Sequence, residues 1–128
     1  MSVRSLLSVC LLASAACGGG DGGTPDASKQ PDAAAPTVMM VTCPATPAKT
    51  ITTMGTAFDM PTSTITQGQI VKFVSTPTHP IGPFPGGQMT DPGIVVPENQ
   101  TRCLQFTAKG TFKFICTQHM YLGTITVN

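Results

Sequence analysis

Along residues 110 to 116, "GTFKFIC", apolar and polar side chains alternate with a period of two. Phe112, Phe114 and Cys116 therefore share one face of a strand, and Thr111 and Lys113 take the other. The thiol of Cys116 continues a core-facing row. The same alternation puts Ile125 and Val127 inward in "GTITV" (123 to 127), and Leu104 and Phe106 inward in "TRCLQFT" (101 to 107), which leaves Cys103 on the opposite face. Further windows with strand composition are 37 to 42, 49 to 58, 62 to 66, the β-branched and aromatic run "QIVKFVS" (69 to 75), and the short "IVV" at 94 to 96. None carries a helical face. Seven or eight short strands separated by turn residues predict an all-β sandwich or barrel.

Between these strands, "TPTHPIGPFPGGQMTDPG" (76 to 93) is rich in proline and glycine and reads as one long loop, a place where functional residues often sit. The beginning of the chain follows another pattern. Arg4 precedes an apolar run from Leu6 to Ala13 that is too short to span a membrane, and small residues lead to Cys17. Residues 1–16 are thus expected to be an export signal. Residues 17–36 have no apolar periodicity and are expected to form a tether, and 37–128 the folded domain. The stretch Ser14-Ala15-Ala16-Cys17 resembles a bacterial lipobox, which implies a lipid on Cys17. With glycines following the cysteine, the resemblance implies the outer membrane, with the domain periplasmic or surface-exposed.

Composition narrows the partners. Charged residues are 10% of the chain and the formal net charge is +1, so no basic stripe offers itself to nucleic acid. Glycine and proline number 13 and 12, in keeping with a loop-rich β protein expected to act as a monomer. Neither carboxylate pairs, a hydrolytic triad nor a phosphate-binding glycine loop stands out, and no enzymatic activity is expected.

Of the five cysteines, Cys10 lies in the signal and Cys17 at the lipid position, leaving Cys43, Cys103 and Cys116. Three thiols in an oxidising compartment leave one over. A Cys43–Cys103 disulfide is expected if Cys116 serves a metal, but the other pairings, which would consume Cys116, stay open at this level.

The folded part holds two histidines, His79 in the long loop and His119 three residues after Cys116. Two imidazoles and a thiolate are the equatorial donor set of a mononuclear copper electron-transfer site. Taken with "GQIVKFVS", the block Gly110, Phe112, Phe114, Cys116, His119 and the closing "GTITVN", the region from residue 37 resembles the cupredoxins of the plastocyanin, pseudoazurin and amicyanin type. That resemblance implies a Greek-key β-sandwich and one type 1 copper held by His79, Cys116 and His119. It also implies a redox protein partner docking on an apolar patch, with Pro83 to Gly87 beside His79 and Met120, Tyr121 and Leu122 beside His119.

Two departures bear on the copper. The resemblance aligns the usual axial methionine with Leu122, which has no donor atom, and this alone would raise the reduction potential. Met120 follows His119 directly but is placed wrongly for that role, and Met89, in the long loop, is a remoter thioether. Around the ligands, Pro80 stands where relatives often have asparagine and has no N–H to offer the sulfur, leaving the chain near Thr117 and Gln118 to supply that bond. Losing it would lower the potential, and the axial effect is expected to win. The function implied is a one-electron carrier. The alternative is a copper-sequestering or metal-free binding module on the same sandwich.

Overall fold

The computed structural model describes residues 35–128 apart from Gln88. The expected signal peptide, the Cys17 lipid site and the tether as far as residue 34 lie outside the described residues. From there nine strands follow: β1 (Val38–Val41), β2 (Lys49–Met54), β3 (Ala57–Phe58), β4 (Thr62–Ile65), β5 (Ile70–Val74), β6 (Ile81–Pro83), β7 (Thr101–Phe106), β8 (Gly110–Cys116) and β9 (Leu122–Val127). They form a five-stranded sheet in the order β1-β7-β5-β2-β3 and a four-stranded sheet in the order β4-β9-β8-β6. Both sheets are mixed: β2 runs parallel to β5 and β4 parallel to β9, while the other pairs are antiparallel.

Period-two alternation is the physical reason these segments are strands. Each sheet turns one apolar face inward, and the two faces bury each other. Ile51, Val71, Phe73, Leu104 and Phe106 from the first sheet, and Phe114, Cys116 and Ile125 from the second, are fully buried. Phe114 sits edge-on to both Phe58 and Phe73, with ring centroids 4.8 and 5.2 Å away. Room for that ring comes from its cross-strand partner Gly123, where an added Cβ would stand only 2.2 Å from the Phe114 ring. The inward row Phe112, Phe114, Cys116 is as the alternation predicts.

Three expectations are corrected. The strand expected at 94 to 96 is a single bridge, Ile81 to Val96, although Ile94 and Val96 are buried and Val95 is exposed as alternation requires. Pro97 has no N–H with which to extend the ladder. Conversely, β6 lies inside the stretch read as one loop. It survives Pro83 because it is an edge strand that, beyond the single Ile81–Val96 bridge, is paired only with β8. The window 49 to 58 is two strands, turned at Gly55 (φ +57°), which takes the positive φ that a two-residue hairpin loop demands.

The disulfide is Cys43–Cys103, closing a separation of 60 residues, and Cys116 is a free, buried thiol. Cys103 pairs with Val41 of β1 and points away from the Leu104–Phe106 face, so the bridge staples the chain just after β1 to the outer side of the sheet.

Candidate metal centre

β8 delivers Cys116 at its last position, with the side chain inward and fully buried. Antiparallel pairing of Ile81 with Cys116 then brings the segment before β6, and with it His79, to the same end of the sandwich. The backbone of that segment is fixed by its own bonds. The His79 amide donates to the Thr76 carbonyl at 3.2 Å, and the Ser75 hydroxyl donates to the His79 carbonyl at 2.8 Å. Thr76 is tied in turn to the buried Thr53, whose hydroxyl oxygen lies 2.7 Å from that of Thr76 and accepts the Thr76 amide at 2.8 Å.

After Cys116 the chain turns tightly. The Met120 amide donates to the Cys116 carbonyl at 2.8 Å, and the Cys116 amide donates to the Tyr121 carbonyl at 3.1 Å. Met120 closes the turn at φ +59°. This brings His119 over the thiol, so that Cys116 Sγ lies 3.8 Å from His79 Nδ1 and 3.6 Å from His119 Nδ1. The two imidazole rings are 4.6 Å apart, tilted by 36°. His79 is half-buried and His119 exposed.

These three donor atoms, which all lie within 4.8 Å of one another, could hold a metal ion. With bonds of about 2.0 Å to nitrogen and about 2.3 Å to sulfur, each of the two sulfur–nitrogen separations is one that a single ion could span. The donor set, soft sulfur with two imidazoles, is one that copper accepts in both oxidation states.

Among the other residues singled out from the sequence, Pro80 keeps a role through its carbonyl, which accepts the Thr117 amide at 2.9 Å and so ties the two ligand-bearing segments together. Thr117 itself packs its methyl group over Gly82, where a Cβ would stand 2.7 Å away. Gln118 is exposed, and among the described residues the groups within hydrogen-bonding range of the Cys116 sulfur are the two imidazoles.

Leu122 is not brought to the centre. It opens β9 opposite Ile115, on the face away from the Cys116 row, and is 44% exposed. Met120 and Met89 are exposed as well, at 61% and 49%. The methionines in general are surface residues: Met39, Met40 and Met54 are also exposed, and Met60 is only partly buried. Edge positions and turns, with no sheet above them, account for this.

The side chain that does turn inward is Tyr121. Its ring packs edge-on against Phe58, with centroids 4.7 Å apart, and its hydroxyl oxygen lies 3.2 Å from His79 Nδ1. Burial foremost, and then the neighbouring Cys116 sulfur, hold the phenol above its ordinary range, with the Thr53 hydroxyl opposing them. Reading Tyr121 as part of an outer rim missed this. Its aromatic character was visible in the sequence, but which face it takes depends on where the turn ends.

The expected apolar rim also divides. β6 runs antiparallel to β8, so Pro83 lies opposite Phe114, and the Phe84 amide bonds to the Lys113 carbonyl at 3.2 Å. At about 3.3 Å per residue this carries Phe84 on the order of 10 Å along the strand from the Cys116 end. Phe84, Gly86 and Gly87 line a groove with Met89 and Lys113, while His119 is flanked in sequence by exposed Met120 and Leu122.

Two mixed sheets packed face to face, with a His–Cys–His cluster at one end, give this chain the cupredoxin fold. Among solved structures it is similar to amicyanin from Paracoccus versutus, at 20% identity over 73% of this chain and 99% of that one, with a TM-score of 0.58. A reduced mutant of amicyanin matches at 19% identity over 72% and 99% of the two chains, with a TM-score of 0.57. A reduced Cu(I) form of another amicyanin mutant matches at 17% identity, with the same coverage and TM-score. No protein-family model and no curated protein sequence matches the chain.

Proposed function

We propose that this protein is a one-electron carrier that binds a single copper ion through His79, Cys116 and His119. The observation that carries this reading is the pair of Nδ1 atoms facing one buried thiol at 3.8 and 3.6 Å, on a backbone held by bonds that need no metal. Copper, when bound there, would supply a one-electron couple. The protein's part is to keep the donors where they are in both oxidation states. Ser75 and Thr76 fix the His79 segment, the Thr117 amide fastens it to the Cys116 turn, and the β8 ladder immobilises the thiol. A frame that does not rearrange lowers the barrier to electron transfer.

His119 lies at the protein surface, and its exposed edge is the natural exit for the electron. Met120 and Leu122, exposed beside it in sequence, would form the contact with a redox protein partner. The Cys17 lipid would hold the domain at the outer membrane. In this reading the protein turns over no substrate.

The test is the visible spectrum of the purified domain after addition of Cu(II). An intense thiolate-to-copper band that bleaches on reduction, returns on oxidation and is missing in Cys116→Ser is the expected result. A colourless protein retaining one equivalent of Cu(I) would replace electron transfer by sequestration.

A further inference from the structure

Resting on the metal centre proposed above, we infer that the Tyr121 hydroxyl is its fourth donor, taking the axial role that the resemblance aligned with the donor-less Leu122. Two observations place it there. The phenol oxygen lies 3.2 Å from His79 Nδ1, whereas Leu122 opens β9 facing solvent on the other side of the sheet. An oxygen 3.2 Å from a candidate ligand nitrogen is close enough for one ion to contact both.

The position is built rather than incidental. Phe58 clamps the ring, and the Cys116 amide holds the Tyr121 carbonyl, so the hydroxyl has little freedom to swing out. In the metal-free chain the oxygen is a hydrogen-bond neighbour of His79 Nδ1. With that nitrogen's lone pair given to a metal, Nδ1 could not accept from the phenol, and the phenol oxygen keeps lone pairs to offer the centre. Oxygen is a harder donor than thioether sulfur and favours Cu(II) over Cu(I). The centre is then not a donor-poor, high-potential one, as Leu122 suggested. Its potential is held down by Tyr121.

The test compares the full chain with Tyr121→Phe, Tyr121→Met and Leu122→Met. Each is loaded with Cu(II) for redox titration and electron paramagnetic resonance, and separately with Co(II), whose ligand-field bands report coordination number without any redox step. Tyr121→Phe keeps the ring against Phe58 and removes only the oxygen. It is expected to raise the potential, change the copper hyperfine splitting, alter the Co(II) bands and weaken Cu(II) binding by about tenfold or more. Tyr121→Met should give an intermediate potential, and Leu122→Met should leave every readout where it is. The inference is overturned if Tyr121→Phe matches the parent in all four readouts, or if Leu122→Met is the variant that moves them. Reversible copper redox with an unresponsive Tyr121→Phe sinks this inference and spares the carrier. Co(II) bands that respond to Tyr121→Phe, in a chain whose copper does not cycle, do the reverse.

Discussion

The amide of Thr117 donates to the carbonyl of Pro80 at 2.9 Å, and this one bond joins the residues next to two of the three candidate ligands. It is made by backbone atoms, so most side-chain changes at either position should leave it alone. Thr117→Pro removes the donor. We expect that variant to bind copper roughly ten- to a hundredfold more weakly in a competition titration against a chelator, as when a group orienting a ligand is lost. Thr117→Ala, which keeps the N–H, should bind like the parent.

Gly123 makes room for Phe114. A methyl group there would lie 2.2, 2.3 and 2.9 Å from three atoms of the ring, and Phe114 is itself wedged between Phe58 and Phe73. Gly123→Ala should therefore destabilise the domain by about 1 to 3 kcal/mol through overpacking, read as a lowered urea midpoint with little change in slope.

Asp91 is a buried carboxylate with three donors: the Thr37 amide at 2.7 Å, the Thr37 hydroxyl at 2.8 Å and the Gly93 amide at 2.8 Å. It ties the segment between β6 and β7 to the residue just before β1. Asp91→Ala strands buried donors and should cost about 2 to 4 kcal/mol in chemical denaturation, since bonds to a charged group exceed neutral ones and orphaned partners add their desolvation.

The Cys43–Cys103 bridge closes a loop of 60 residues, and in the chain-entropy model a loop of that size stabilises by about 4 kcal/mol. Cys43→Ala with Cys103→Ala should lower stability by about 2 to 4 kcal/mol in the same assay while leaving the Cu(II) band in place, because neither cysteine belongs to the His79, Cys116, His119 cluster.

If the surface beside His119 is where electrons leave, a charge introduced there should impede contact without disturbing the centre. Met120→Glu and Leu122→Glu, changing side chains that are 61% and 44% exposed, are expected to slow electron self-exchange by about tenfold or more at low ionic strength. The visible spectrum should not change. Exchange broadening of nuclear magnetic resonance lines in mixtures of the oxidised and reduced protein measures the rate.

Much of this was legible in the sequence, because the relevant signals are local. The row Phe112, Phe114, Cys116 follows from alternation alone; the Cys43–Cys103 bridge was the pairing expected if Cys116 serves a metal, and only the structure closes the alternatives. Strand β6 was not legible, since glycine and proline argue against it and only the neighbouring β8 gives Ile81 to Pro83 a reason to be extended. Tyr121 and Leu122 show the sharper limit. A shift of one residue exchanges the two faces of a strand, and that register is set by the turn at Met120, whose positive φ no composition rule announces.

The contacts that position His79, Cys116 and Tyr121 run from backbone to backbone, through Ser75 and Thr53, and through the ring of Phe58. If the proposed copper centre is right, such a frame favours a chain that folds first and is filled afterwards. Uptake should then be a simple bimolecular capture, first order in copper and in empty protein, and a chelator should return the domain folded and ready to be filled again.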